Sequence, residues 1–180
     1  MACITKLASA IAYDCDSGAT GVVSAVIINK ADIASFSVSS GVAAVSALVL
    51  ASGASAYKVG AVKRSIVASS ALKVNDGAPN AYTHTVNLTI TDGNAINRRV
   101  FTNNFSNGTY VVLVKQAGVT GGADVYGLYY GLKATTVDKS THDNGGWITV
   151  TLETPETVIG EDNLALSETV WETIYAAAVG

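Results

Sequence analysis

Two histidines and two cysteines are the side chains best suited to catalysis in this 180-residue chain. His84 lies on the apolar side of an alternating segment, where an imidazole is typical of a hydrogen-bonded core residue. His142 stands in a loop rich in turn residues and precedes Asp143, a pattern that favours a hairpin turn over a catalytic loop. Neither histidine occurs in a nucleophile, metal-ligand or phosphate-loop motif. The sequence therefore predicts no catalytic residue and no enzymatic activity.

The cysteines, Cys3 and Cys15, are separated by eleven residues. A disulfide between them requires the chain to turn back on itself. A domain of this length does not depend on such a link, and nothing in the sequence indicates an oxidising compartment. We therefore predict two buried thiols and keep the disulfide as the alternative. Because both histidines are distant in sequence, the cysteines are not expected to form a metal site.

Carboxylates are concentrated toward the C-terminal end, at Glu153, Glu156, Glu161 and Asp162. Their oxygens can bind a hard cation, but the twelve-residue pattern of a calcium loop is missing. The Gly-Gly pair at 121–122 also lacks the Lys-Ser or Lys-Thr that follows the glycines of a phosphate loop. We predict that the four carboxylates form a solvated acidic edge, and that the chain has no metal site and no cofactor.

Composition favours one domain over residues 1–180 that contacts other subunits. Charged residues make up 14% of the chain, against about 25% in a typical soluble domain, so part of the surface is expected to meet another copy. The net charge is −3, which argues against a basic face that holds nucleic acid. Residues 1–120 carry a net charge of +4 and residues 121–180 a net charge of −7. Opposite charges of this kind can steer copies together; the alternative is that they form local solvated faces.

The apolar segments are too short for a membrane span. Residues 42–51 form an apolar run of ten residues, whereas a bilayer requires about 20. The N-terminal segment has a short apolar stretch that is interrupted by Ser9 and ends at Asp14. We therefore read it as part of the mature fold rather than as a signal peptide, and predict no membrane association.

The first half of the chain reads as a series of strands. Residues 21–30 are rich in Val and Ile, and shorter runs at 33–38, 45–51, 57–59, 63–68 and 72–74 follow between Ser, Gly and Ala. This rhythm predicts an antiparallel meander. Residues 82–90 alternate with a period of two and predict a half-buried strand.

One helix is predicted over residues 92–104, with Asp92 as its N-cap. Its apolar residues, Ile96, Val100, Phe101 and Phe105, follow helical spacing. They are expected to face the core, while Arg98 and Arg99 lie on or beside the solvated side.

The rest of the chain also favours β structure. Residues 109–115 are typical of a central strand that is covered on both faces. Residues 124–137 predict a strongly bent strand, because Gly127 and Gly131 interrupt it. Residues 147–154 predict a strand with one apolar face, and residues 167–178 fit either a strand or a helix.

Several of these segments resemble one family. The capped helix, the strand YVVLVK, the segment VYGLYYGL, the Asn-Gly-Gly loop and the strand WITVTLETPE are similar to parts of bacteriophage tail tube, or major tail, proteins, especially those of phages that infect Bacteroidota. The opening MACIT with a second cysteine at Cys15 is similar as well. The resemblance implies a mainly β fold: an antiparallel β-sandwich or barrel with one flanking α-helix and a long hairpin or loop arm, for which residues 45–74 are the candidate.

The resemblance also implies a function. Tail tube subunits form homohexameric rings that stack into a hollow tube and contact other phage tail proteins. The expected location is the virion tail, after synthesis in the host bacterial cytoplasm. Double-stranded DNA is expected to pass without specific binding, with Asp124, Asp138, Glu153 and Glu156 as candidates to face the lumen. The alternatives are a capsid decoration, head-fibre or neck protein, and a carbohydrate-binding β-sandwich that uses the aromatic residues Trp147, Tyr129 and Tyr130.

Overall fold

The computed structural model describes residues 21–39, 43–60, 65–91, 94–142 and 146–180. The fold is mainly β, as predicted, with two open sheets packed as a sandwich and a flanking helix. Several predictions lie outside the described residues: those on Cys3, Cys15, the MACIT opening and Asp92, and the pairing of His142 with Asp143.

The elements alternate between short strands and tight connections. In chain order the strands are β1 (Val22–Asn29), β2 (Ile33–Ser39), β3 (Ala44–Leu50), β4 (Ala56–Val59), β5 (Ile66–Lys73), β6 (Ala81–Ile90), β7 (Tyr110–Gln116), β8 (Ala123–Tyr126), β9 (Lys133–Lys139), β10 (Ile148–Glu153) and β11 (Leu164–Leu166). The helices of the described chain are α1 (Ala95–Asn107) and α2 (Glu168–Ala177), and one 3-10 turn, Lys30–Asp32, joins β1 to β2.

The larger sheet has seven strands in the order β2-β3-β11-β8-β7-β1-β4. Its strand pairs are antiparallel except β3 with β11, which run parallel. Strand β7 lies inside the sheet, and its residues 111–114 are buried. This confirms the predicted central strand, because a continuous Val and Leu run can bury side chains on both faces.

The predicted meander is wrong in the first half of the chain. Strands β2 and β3 form a hairpin, but β4 pairs with β1 and β5 joins the other sheet. Residues 45–74 are therefore not one hairpin arm. The long hairpin of the structure is β5–β6, paired from Ile66 with Leu88 to Lys73 with Ala81. Small Ala and Ser side chains do not specify strand partners, so composition alone could not place these strands.

The smaller sheet has four antiparallel strands in the order β5-β6-β10-β9. In β10, Ile148, Val150 and Leu152 are buried, and in β6 His84, Val86 and Leu88 are buried, which confirms both predicted alternations. These side chains pack against the larger sheet through residues such as Val112, Val114 and Tyr126. The contact between the two sheets is the first of two cores.

The second core lies on the opposite face of the larger sheet, under α2. Trp171, Ile174 and the following Ala178 pack against side chains such as Val26 and Leu113. The C-terminal segment, left open between strand and helix, is thus a helix. After this helix, Val179 forms an isolated β-bridge with Tyr57 on edge strand β4. No helix in the described ranges combines the length and apolar character needed to cross a membrane.

Helix α1 flanks the first core, but its buried side differs from the predicted stripe. Asn94 is the N-cap, because its side-chain oxygen accepts a 2.9 Å hydrogen bond from the Ile96 amide. Phe105 is buried, whereas Ile96 is 74% exposed and Val100 is also exposed. Arg98 lies closer to the interior and donates to the Gly146 carbonyl. An arginine can bury the aliphatic part of its side chain in this way. The apolar spacing therefore predicted a buried face of α1 that is rotated by part of a turn from the observed one.

The two ends of this helix provide a matched stability test. Truncating Phe105 to Ala is expected to lower the free energy of unfolding by about 3 to 5 kcal/mol, because it leaves a cavity in the first core. Ile96→Ala is expected to change it by less than about 0.5 kcal/mol, because that side chain is exposed. Equal losses in chemical denaturation would contradict the orientation of α1.

Candidate functional site

The chain passes from the larger to the smaller sheet through residues 127–132, called the crossing segment below. Gly127 and Gly131 have φ angles of 78° and 76°, and the Gly131 amide donates a 2.9 Å hydrogen bond to the Gly127 carbonyl. A Cβ on Gly131 would overlap the Thr109 methyl group. The predicted bent strand over 124–137 is therefore wrong. Two residues with positive φ turn the chain, and β8 and β9 belong to different sheets.

Glu161 holds the middle of the crossing segment. Its side chain is only 1% exposed, and its carboxylate accepts hydrogen bonds from the amides of Tyr129 at 2.9 Å and Tyr130 at 2.7 Å. Burial raises the pKa of Glu161, and these amides, with that of Gly131 and the charge of Lys30, oppose the rise. The predicted solvated acidic edge is wrong for this residue, because the loop before β11 turns it inward.

His84 holds the start of the crossing segment. Its Nδ1 accepts a 3.1 Å hydrogen bond from the Gly127 amide, and its ring lies edge-on to Tyr126 with centroids 5.3 Å apart. The ring is fully buried, and this burial lowers the pKa of His84 to about 4. The prediction of a hydrogen-bonded core histidine is confirmed. Its partner is a backbone amide rather than a nucleophile.

The buried side chains of His84 and Glu161 thus bind backbone amides of the crossing segment. Within the described ranges, no three His, Cys, Asp or Glu side chains come together as metal ligands.

A separate cavity of about 1140 Å³ lies between α1, the end of β6 and strands β1 and β4. Amide and aromatic residues such as Asn103, Asn104 and Phe101 line it, and none of its described lining residues has an acidic or imidazole side chain. Its ionisable lining residues are Tyr57, Lys58 and Tyr110, and the Tyr110 hydroxyl donates to the Asn104 carbonyl.

The smaller sheet presents an outer face rich in hydroxyl and amide side chains opposite its apolar one. This Thr-rich face carries hydroxyl and amide side chains from all four strands, namely Ser69, Thr83, Thr85, Asn87, Thr89, Thr136, Thr149 and Thr151. Thr151 donates a 2.8 Å hydrogen bond to the Asn87 side chain. Charged residues also stand at positions of this face: Lys73 at the end of β5, Lys133 and Asp138 on β9, and Glu153 at the end of β10.

Both edges of the smaller sheet are unpaired within the described part of the chain. Strand β5 pairs with β6 and strand β9 pairs with β10. Along β5 and just beyond it, Val67, Leu72 and Val74 are exposed. Unpaired backbone groups beside exposed apolar side chains form a template for pairing with another strand.

The four candidate lumen acids do not share one surface. Asp124 belongs to the larger sheet and accepts a 2.9 Å hydrogen bond from the Gln116 side chain; burial raises its pKa. Asp138 and Glu153 belong to the smaller sheet, and Glu156 is exposed in the turn after β10.

The aromatic residues proposed as a carbohydrate platform are also separated. Tyr130 precedes β9 and Trp147 precedes β10, and these strands run antiparallel. The two exposed rings therefore lie at opposite ends of the ladder, about 20 Å apart by the rise of a strand. Tyr129 instead packs edge-on against Phe36 with centroids 5.5 Å apart.

The role of Glu161 can be tested by one isosteric change. Glu161→Gln replaces one acceptor oxygen with an amide NH2 group, which would face the backbone N–H of Tyr129 or Tyr130. We expect a loss of about 1 to 3 kcal/mol in the free energy of unfolding, measured by denaturant titration at pH 7. The exposed Glu156→Gln is the control and is expected to change it by less than about 0.5 kcal/mol. A silent Glu161→Gln would mean that the carboxylate does not hold the crossing segment.

Comparison with protein-family models, curated proteins and solved structures found no match to this chain. The likeness to tail tube proteins therefore stands on the sequence motifs alone. What the chain does has to be inferred from the two sheets, their edges and their faces.

Proposed function

We propose that this chain is a structural subunit of a bacteriophage tail tube, which assembles into homohexameric rings that stack around a passage for the genome. The observation that carries the proposal is the smaller sheet, which has one face packed in the core, one Thr-rich face in solvent and, in the described residues, two edges that pair with no further strand. The motifs that resemble tail tube proteins supply the family.

Ring formation would satisfy the unpaired edges. If β5 of one copy pairs with β9 of the next, each ring of six four-stranded sheets closes into a barrel of 24 strands. A closed barrel has no exposed edge, and its diameter grows with the number of strands. Of the exposed apolar residues on β5, Leu72 is opposite Tyr82 on the core-side face and would lie against the neighbouring copy, whereas Val67 is opposite Asn87 and would stand at the seam on the Thr-rich face.

The Thr-rich face would line the passage in such a barrel. The apolar face of the same sheet is already packed against the larger sheet, so only the Thr-rich face remains for the lumen. Its hydroxyl groups carry no charge to pair with phosphate, and affinity for DNA depends mainly on Lys and Arg contacts to phosphate. Six copies at −3 each carry −18.

The remaining assignments follow from this role. A tube subunit acts by packing and pairing, so we propose no catalysis, cofactor or metal. Its partners would be other copies, other phage tail proteins and the DNA that passes through, and its location would be the virion tail after synthesis in the bacterial cytoplasm. Residues 1–180 would act as one domain.

Negative-stain electron microscopy of the purified protein tests this proposal. Six-fold rings or hollow tubes would support it. Trimers or a single ring that does not stack would favour a fibre, decoration or neck protein. Monomers at high concentration would contradict any assembly role.

Edge pairing can be blocked by a single charge. Val67 on β5 is 49% exposed, and Val67→Lys is expected to abolish rings and tubes in sedimentation velocity while the subunit stays folded, because a lysine on an edge opposes strand pairing. Val119→Lys is the matched control, since Val119 is 43% exposed in the turn between β7 and β8. Normal assembly of Val67→Lys would exclude β5 from the interface.

A neutral passage should not retain DNA. We expect no measurable binding of double-stranded DNA at physiological salt in a fluorescence anisotropy titration, because the net charge is negative and the Thr-rich face lacks a cluster of cations. Tight binding that weakens steeply with added salt would contradict the conduit.

A further inference from the structure

His84 joins β6 to the crossing segment through one acceptor atom. Its Nδ1 accepts the hydrogen bond from the Gly127 amide, so the neutral ring carries its proton on Nε2. Within the described chain, Nε2 has no hydrogen-bond partner although it is buried. The strand beneath the ring is fixed, because the His84 amide donates to Thr154 Oγ1 at 2.9 Å and the Thr154 amide donates to the His84 carbonyl at 3.0 Å.

No anion is positioned to stabilise a charged imidazole. Ser70 is opposite His84 on β5, and the Tyr126 ring of β8 packs against it. The charged groups on the neighbouring elements are Asp124 on β8, Glu153 opposite Thr85 on β10, and Glu161, which bridges to Tyr82 and interacts with Lys30. The Glu161 carboxylate accepts from the Tyr129 and Tyr130 amides, and the Asp124 carboxylate accepts from Gln116. No salt bridge to His84 occurs in the described structure.

We propose that His84 is an acid-sensitive lock on the crossing segment, in which a proton added to Nδ1 releases the Gly127 amide and separates the start of the segment from β6. The proton turns the acceptor into a donor, so two N–H groups face each other across the former hydrogen bond. Tyr129 and Tyr130 stay attached to Glu161. The release is therefore confined to the junction with β8.

The pH range follows from the two states of the imidazole. In the closed state, burial lowers the pKa of His84 to about 4, whereas a solvated histidine has a pKa of about 6.5. The closed state is fully stable above pH 6.5 and loses stability as the pH falls toward 4, by about tenfold in the opening equilibrium per pH unit. Protonation of Glu161 has the opposite effect on stability, because its pKa is raised in the folded state and proton uptake therefore favours that state.

Amide hydrogen exchange of the unmodified protein between pH 4.5 and 7 tests the lock. The protection factor of the Gly127 amide is expected to lie below that of the Leu113 amide in β7, and to fall about tenfold per pH unit below pH 6. The protection factors of the Tyr129 and Tyr130 amides are expected to fall less than that of the Gly127 amide as the pH is lowered. Equal protection of Gly127 and Leu113 at every pH would overturn the proposal, because the segment would then open only by global unfolding.

A variant and a direct titration complete the test. His84→Asn retains a side-chain oxygen that can accept from Gly127 but cannot titrate, so the protection of the Gly127 amide should lose its tenfold dependence on pH. The exposed His142→Asn should leave that dependence unchanged. If His84→Asn fails to fold, the imidazole resonances of the unmodified protein decide: an Nε2–H tautomer that titrates near pH 4 supports the lock, and titration near pH 6.5 overturns it.

Discussion

A chain that passes between two packed sheets must take backbone amides through the interior, and each needs an acceptor there. In this fold the amides of Gly127, Tyr129 and Tyr130 meet the side chains of His84 and Glu161. Both acceptors come from the smaller-sheet side, since His84 is in β6 and Glu161 pairs with Tyr82 through its backbone. These contacts and the apolar first core together position the smaller sheet against the larger one.

This arrangement determines which surfaces remain available. The larger sheet is covered by α2 on one face and by the smaller sheet on the other. Its edge strand β4 is bridged by Val179, and in the described residues its other edge strand, β2, pairs only with β3. The smaller sheet keeps an uncovered face and two unpaired edges in the described structure. Edge strand β9 carries Lys133, Asp138 and Lys139, whereas β5 exposes Val67 and Leu72. Pairing of β5 with β9 between copies would satisfy the unpaired backbone groups of both edges.

Sequence reasoning succeeded where the apolar pattern is strong. Strands β6 and β10 were predicted from alternating side chains, and β7 from a continuous Val and Leu run. It failed for the strand order of the first half, because Ala and Ser do not specify partners, and for Ile96 and Val100, because Arg98 lies on the inner side of α1. Glu161 was missed because its role depends on residues about 30 positions earlier. An isolated glutamate among other acids gives no signal of a buried acceptor.

The central claim is that the smaller sheets of neighbouring copies join into one barrel. A cryo-electron microscopy map of the assembled protein, at a resolution that separates strands, tests it most directly. We expect continuous pairing of β5 in one subunit with β9 in the next, with Thr85, Asn87 and Thr151 facing the lumen. Rings joined through other surfaces, or a lumen lined by the larger sheet or by α2, would contradict it.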